Sequence, residues 1–255
     1  MSAWRPEGEG FEPGTESGRD GASRPKAAAF FDMDGTLVRS NLVQSFLFLT
    51  RHEPSLPESI AKTALGLAKI PVFAAVDRRS RTAFNEMLFA GLKGCFFDDL
   101  LEVAELHFEK LLMPNLFPGA PDLVARGKKM GLHQVIISGN LDFLVAPLVR
   151  HLGLDAQITN RLEVVDGVCT GRALKPLVAS AAKAQMVREY AQAGGFDLSK
   201  SFAYSDSHSD LPMLSVVGRP AAVHPDGRLA RVAREMRWPI LSLDDAPSWK
   251  RWVPR

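Results

Sequence analysis

The sequence predicts an α/β protein: a doubly wound parallel sheet with a helical block inserted after its first strand. Three observations lead there. The run AAAFF, Ala27–Phe31, is short, apolar and bounded by turn-forming residues, as a strand covered on both faces is. The stretch 41–115 carries helix-type spacing and no convincing strand. Beyond it, strand-like and helix-like segments take turns almost to the end of the chain. That alternation builds a parallel sheet between two helical layers.

Taken in order, residues 1–25 are rich in Gly, Glu, Pro and Ser and hold no apolar run of the ~7–15 residues that a signal peptide needs. They read as a disordered, solvated arm. AAAFF is the first strand. NLVQSFLFLTRH, PESIAKTALGLAK, VFAAVDRRSRTAFNEMLFAGLKG and FDDLLEVAELHFEKLL are the helices of the insertion, punctuated by Pro54, Pro57, Pro71 and Gly94. APDLVARGKKMG is a helix closed by Gly131, HQVIISG a strand, and DFLVAPLVRHLG a helix despite Pro147. AQITN is a strand and LEVVDGVCTGR a hairpin turning at Asp166-Gly167. ASAAKAQMVREYAQAGG, DLPMLSVVG and DGRLARVAREMRW are helices, alternating with the strands SFAYSD, PAAVHP and PILSL. The chain so divides into a core, residues 26–40 and 116–255, and an insertion, residues 41–115.

Composition narrows the function classes. A hydrophobic fraction of 46% and a charged fraction of 24% are those of a globular protein with a sizeable core. A net charge of +2 with no long basic run gives no reason to expect nucleic acid as a partner. No segment reaches the ~18 consecutive apolar residues of a membrane helix, and the expected location is the cytoplasm. Cys95 and Cys169 lie far apart without metal-type spacing and read as reduced thiols. His133 and His224 read as structural or exposed, His208 as a loop-surface residue, and the tail SLDDAPSWKRWVPR as packing its tryptophans on the core.

Chemistry in such sheets gathers at the carboxyl ends of the strands. Polar groups are concentrated there: Asp32 and Asp34, then Ser138-Gly139-Asn140, then Asp206 and Asp210, with Lys183 on a helix close by. Singly, an Asp or Ser after a strand is a turn former or a helix cap. Together, several acids at one sheet edge repel and call for a cation. Asp32 and Asp206 suit Mg²⁺, which takes one or two carboxylates plus waters and substrate phosphate. A carboxylate such as Asp32 is also a nucleophile able to form an aspartyl-phosphate, and Asp34, two residues on, is placed to move protons. Ser138 with the following N–H groups, and the Lys183 ammonium, would hold phosphoryl oxygens.

These residues carry a resemblance. FFDMDGT is similar to the first motif of the haloacid dehalogenase superfamily, VIISGN to its second, Lys183 to its third, and YSDSHSDLPML to its acidic fourth. All occur in order between about residue 27 and residue 243. The insertion resembles the helical cap of the phosphoserine-phosphatase-like branch, whose core is a Rossmann-like sheet. The resemblance implies a Mg²⁺-dependent phosphatase of a small phosphorylated metabolite. In it Asp32 is nucleophile and metal ligand, and Asp34 is acid/base and ligates metal through its backbone carbonyl. Thr36, Ser138 and Gly139 attend the phosphate, Lys183 neutralises charge, Asp206 ligates Mg²⁺ and Asp210 supports it. The dehalogenases of the superfamily do not need the second acid, so Asp34 favours phosphoryl chemistry.

Three positions depart from the branch. Ser205 stands where Gly is usual before the metal-binding Asp, and Asn140 stands where a second Gly is usual, altering the rim of the phosphate pocket. Asn41 replaces a Glu that pairs with the ammonium of phosphoserine, and an asparagine offers no charge there. Asn41 and Arg81 are the expected substrate contacts on the cap side. Phosphoserine is the default substrate. Histidinol phosphate, or a phospholipid head group such as phosphatidylglycerophosphate, is an alternative, the latter with peripheral membrane contact through the stretch containing Arg78, Arg79 and Arg81. A phosphotransferase would use the same intermediate. A non-catalytic binding protein of this fold would lack a nucleophile, acid or lysine, and none is missing.

Overall fold

The computed structural model describes residues 27–52 and 80–244. The N-terminal arm, the expected helix at 57–69, Arg78, Arg79 and the tryptophans of the tail lie outside them. Strand β1 (Ala28–Phe31) leads to helix α1 (Leu42–His52); α2 (Arg81–Ala90) and α3 (Phe97–His107) follow. Helix α4 (Ala120–Lys129) then opens the alternation: β2 (His133–Leu141), α5 (Asp142–Leu152), β3 (Ala156–Asn160), and the pair β4 (Leu162–Val165) and β5 (Val168–Ala173). It closes with α6 (Ala181–Gly194), β6 (Phe202–Ser205), α7 (Leu211–Leu214), β7 (Arg219–Val223), α8 (Gly227–Glu235) and β8 (Ile240–Leu241).

Six strands form one parallel sheet in the order β3-β2-β1-β6-β7-β8. The alternation of β1 explains its two layers. Ala29 and Phe31 point into a cluster with Leu123 and Val124 of α4 and Val145 and Leu148 of α5. Ala28 and Phe30 point the other way, onto Val187 of α6, Met213 and Leu214 of α7, and Leu229 of α8. The order reverses between β1 and β6, which leaves a crevice beyond their carboxyl ends. Asp32 follows β1 and Asp206 follows β6, so the topology alone brings these acids together.

A third apolar cluster lies outside the sheet. Phe46 and Leu49 of α1, Phe84, Leu88 and Phe89 of α2, and Leu100 and Val103 of α3 pack with Phe143, Leu144 and Leu162. Helix α1 begins with a reciprocal cap: Gln44 N–H donates to Asn41 Oδ1, and Asn41 N–H donates to Gln44 Oε1, each at 3.0 Å. The β4–β5 hairpin turns at Asp166 (φ 50°) and Gly167 (φ 77°), the pairing an Asp-Gly turn provides. Two details go beyond the sequence. Strand β2 runs past the expected end at Gly139 to Leu141, with a register shift against β3 after Ile137. Cys95 and Cys169, distant in sequence, are both buried and face each other across the Phe96–Val168 bridge, with Cys169 N–H donating to Cys95 O at 2.9 Å.

Candidate active site

A cavity of about 190 Å³ opens at the crevice between β1 and β6. Its floor begins with the turn after β1. The N–H groups of Thr36, Leu37 and Val38 all converge on Met33 O, at 3.2, 2.9 and 3.1 Å, and Gly35 N–H donates to Val38 O at 2.7 Å. Gly35 has φ +80°, and a Cβ built on it would lie 2.2 Å from Asp206 Oδ2. Glycine is therefore required twice, for its backbone conformation and for the approach of the Asp206 carboxylate.

Lys183 Nζ, from α6, donates to Asp32 Oδ1 at 2.5 Å and to Asp210 Oδ2 at 2.8 Å, all three side chains being buried. Ser205 Oγ donates to the same Asp210 oxygen at 2.8 Å. Asp210 thus fixes the lysine and the lysine fixes Asp32. Ser180, just before α6, has φ +44°, a costly conformation for a residue with a Cβ, and Lys183 N–H donates to its carbonyl at 3.1 Å. The Thr36 hydroxyl sits between two acids, 3.4 Å from Asp32 Oδ2 and 3.5 Å from Asp206 Oδ1. Asp34 Oδ1 accepts from Ser40 Oγ at 3.1 Å.

The electrostatics follow from four carboxylates gathered around one buried ammonium. Burial pushes the Asp34 carboxyl up to about 7, with a further push from the Asp32 charge. Burial likewise raises Asp206 to about 8, helped by Asp32 and Asp210. Asp32 rises only to about 6, because Lys183 opposes its desolvation. Lys183 itself is held above its ordinary value: burial disfavours its charge, but Asp210 and Asp32 outweigh that. Such a floor is short of positive charge. Asp32 and Asp206 are hard oxygen donors on either side of one hydroxyl, a set that fits a divalent cation taking one or two carboxylates. Among the described residues no three His, Cys, Asp or Glu side chains group to hold a metal by themselves. A cation here would complete its shell from backbone, water and substrate.

The other expected residues are distributed unevenly. Gly139 lies on the cavity wall, but Ser138 stands behind it, buried, its Oγ accepting from Asn140 N–H at 3.1 Å. Thr36 is buried between the acids and is also off the wall. Asn140, expected to alter the pocket rim, turns its side chain away from the cavity to donate to Ser45 Oγ at 3.0 Å, because α1 supplies a buried acceptor there. Asn41 and Arg81 both reach the cavity, at the starts of α1 and α2. His208 takes no part in the wall, its N–H donating to Asp226 Oδ2 at 2.7 Å. His224 Nε2 accepts from Leu243 N–H, and His133 stacks on Phe196.

Two residues escaped the sequence. Asn85, one turn along α2 from Arg81, lies on the wall against Gly139. Asn160, at the end of β3, donates from Nδ2 to Gly139 O at 2.7 Å and accepts from Val178 N–H at 2.8 Å, tying two parts of the wall together. The only signal for Asn160 was a polar residue ending the apolar strand AQITN.

A family model described as haloacid dehalogenase-like hydrolase matches residues 29–215, which contain every element of this floor. The chain belongs to that family. It is a hydrolase of the haloacid dehalogenase type, with the parallel sheet and the phosphoserine-phosphatase-like character its motifs resemble. It is 30% identical over 238 residues to the inhibition of morphological differentiation protein of Streptomyces azureus, covering 93% of this chain and 86% of that one. It is 31% identical over 215 residues to phosphoserine phosphatase SerB1 of Mycobacterium tuberculosis, covering 84% of this chain and 70% of that one. Among solved structures, a protein of unknown function from Bordetella pertussis superposes with a TM-score of 0.76 at 24% identity, covering 86% of this chain and 99% of that one. Among the described residues of this haloacid dehalogenase-like hydrolase, no helix is long and apolar enough to cross a membrane.

Proposed function

We propose that the protein is a Mg²⁺-dependent phosphomonoesterase acting on a small phosphorylated metabolite through an aspartyl-phosphate on Asp32. The observation that carries this is the division between neighbouring acids. Asp32 is paired with the Lys183 ammonium, whereas Asp34 is held near 7 and bonded only to a hydroxyl among the described residues. The paired ammonium favours Asp32 as the carboxylate, and Asp34, which contacts a hydroxyl and no cation among the described residues, is the better placed to exchange protons. Asp32 attacks phosphorus as the bond to the alcohol oxygen breaks, and Asp34 delivers a proton to that oxygen. Asp34 then takes a proton from water, whose oxygen attacks phosphorus and breaks the bond to Asp32, releasing phosphate and restoring both acids. Lys183 and the Ser138–Gly139 segment, which reaches the cavity at Gly139, hold phosphoryl oxygens. Mg²⁺, held by Asp32, Asp206 and the Asp34 carbonyl, would supply charge neutralisation at the phosphoryl group.

In this reading residues 41–115 are a cap over the core of 26–40 and 116–255, closing the cavity with Asn41, Arg81 and Asn85. Phosphoserine is the reference substrate, given the M. tuberculosis relative's name. A second reading has a specific observation behind it. The Asn41 side-chain oxygen already accepts from Gln44 N–H in the α1 cap, so its Nδ2 hydrogens are the readier contacts for a ligand. That favours an alcohol carrying an acceptor over one carrying an ammonium. The residues behind a lipid reading other than Arg81 lie outside the described structure. Asp32→Asn should remove turnover of p-nitrophenyl phosphate in Mg²⁺, by about a thousandfold or more, with circular dichroism unchanged. Retention of the wild-type rate would overturn the proposal. Trapping with hydroxylated acceptors separates hydrolysis from phosphotransfer.

A further inference from the structure

The Ser138–Gly139 segment, in the irregular end of β2, is joined to the helical block by a buried chain of hydrogen bonds. Asn140 N–H donates to Ser138 Oγ at 3.1 Å, and Asn140 Oδ1 accepts from Leu141 N–H at 2.9 Å. Its Nδ2 donates to Ser45 Oγ of α1 at 3.0 Å, and that hydroxyl lies 3.0 Å from Nε2 of His107, the last residue of α3. Asn140, Ser45 and His107 are 1%, 0% and 0% exposed. An amide N–H only donates, so Ser45 Oγ accepts from Asn140; its contact with Nε2 of His107 runs in the direction the imidazole tautomer sets, Nδ1 having no partner among the described residues. The bland alternative is a satisfied polar core. Two facts argue past it. The chain ends on the Ser138 hydroxyl and the Leu141 backbone in the last residues of β2, and its members come from three elements that meet only when α1 and α3 are docked on the core. Ser138 Oγ, seated behind the wall, accepts from Asn140 N–H, so the backbone that carries Gly139 into the wall is pinned from behind.

We propose that Asn140 is a positioning residue for the phosphate-holding segment Ser138–Gly139 at the end of β2, and that Ser45 and His107 transmit to it the docking of α1 and α3. The inference rests on the phosphatase reading for its catalytic consequence, though not for phosphate binding. The chain acts on the Ser138–Gly139 segment and not on the alcohol, so its loss lowers affinity and rate alike for every phosphate ester.

The test compares Asn140→Ala, Ser45→Ala and the pair of changes together with wild type. One readout is kcat/KM on p-nitrophenyl phosphate; the other is the rise in thermal midpoint caused by inorganic phosphate with Mg²⁺. Asn140→Ala should lower kcat/KM about tenfold and shrink the phosphate-induced rise. Ser45→Ala should lower kcat/KM about threefold, and the double variant should be no worse than Asn140→Ala, because both changes break one chain. Ser45→Thr, which keeps the hydroxyl, should restore the wild-type values. Should Asn140→Ala not fold, Ser45→Ala and its Thr rescue decide alone. Variants that lose thermal midpoint but keep both kcat/KM and the phosphate response would overturn the proposal, as would additive effects of the two changes. If wild type hydrolyses no ester yet responds to phosphate, the phosphatase reading fails while the phosphate arm still tests Asn140. No phosphate response together with no ester hydrolysis in wild type would overturn both.

Discussion

The floor and the roof of the cavity are built on different principles. The floor comes from the ends of β1 and β6 and the start of α6, carries four acids and one lysine, and holds each by a charged partner, a hydroxyl or a tight turn. The roof comes from the first residues of α1 and α2, and its polar groups among the described residues are the amides Asn41 and Asn85 and the cation Arg81. The floor is a single electrostatic unit in which moving one charge unsettles the others. The roof is a set of separable contacts on two helix starts. Chemistry should therefore be sensitive to any change at the floor, and selectivity should yield to changes at the roof with little effect on the chemical step.

The largest effect after loss of Asp32 should come from Asp34→Asn. Removing a group that moves protons typically costs about 10²–10⁴-fold. Because p-nitrophenolate leaves without a proton, an alkyl phosphate should suffer more than p-nitrophenyl phosphate; equal losses on both would break the assignment of Asp34. Gly35→Ala comes next. The new Cβ would meet Asp206 Oδ2 at 2.2 Å in a φ +80° turn, so the Asp206 carboxylate must move. The Mg²⁺ concentration for half-maximal rate should rise about tenfold or more. An unchanged Mg²⁺ response would remove Asp206 from the metal site.

A milder effect concerns stability. Asp34 and Asp206 have folded pKa values near 7 and 8, above the ordinary 3.8, so the folded state binds more protons than the unfolded state between those limits. Stability of the metal-free protein should consequently fall as pH rises from about 4 to about 8. Mg²⁺, by neutralising the floor, should flatten that dependence; thermal midpoints measured with and without Mg²⁺ across this range test it. The smallest change belongs to the roof. Asn41→Glu should raise kcat/KM for O-phosphoserine relative to glycerol phosphate by about tenfold through a charge-assisted contact, with kcat on p-nitrophenyl phosphate little altered. If selectivity did not move, Asn41 would not touch the alcohol.

The floor was largely legible in the sequence and the roof was not, for a physical reason. A parallel sheet places strand ends at one edge, so Asp32, Asp34, Asp206 and Asp210 could be grouped from local spacing, and the motif resemblance joined Lys183 to them. Asn85, Asn160 and the direction taken by Asn140 depend on which side chains meet across elements distant in sequence. Ser138 illustrates the boundary: its place after an apolar strand was readable, its seat behind the wall was not.

By itself, then, the sequence determined the layers, the element order and the acid-rich strand ends, because apolar periodicity and turn chemistry are local. Only the tertiary structure decided that Cys95 faces Cys169 and that His107 reaches Asn140 through Ser45. Those contacts follow from how α1, α2 and α3 dock on the core, and docking is set by the shape and packing of whole surfaces rather than by the residues next in line.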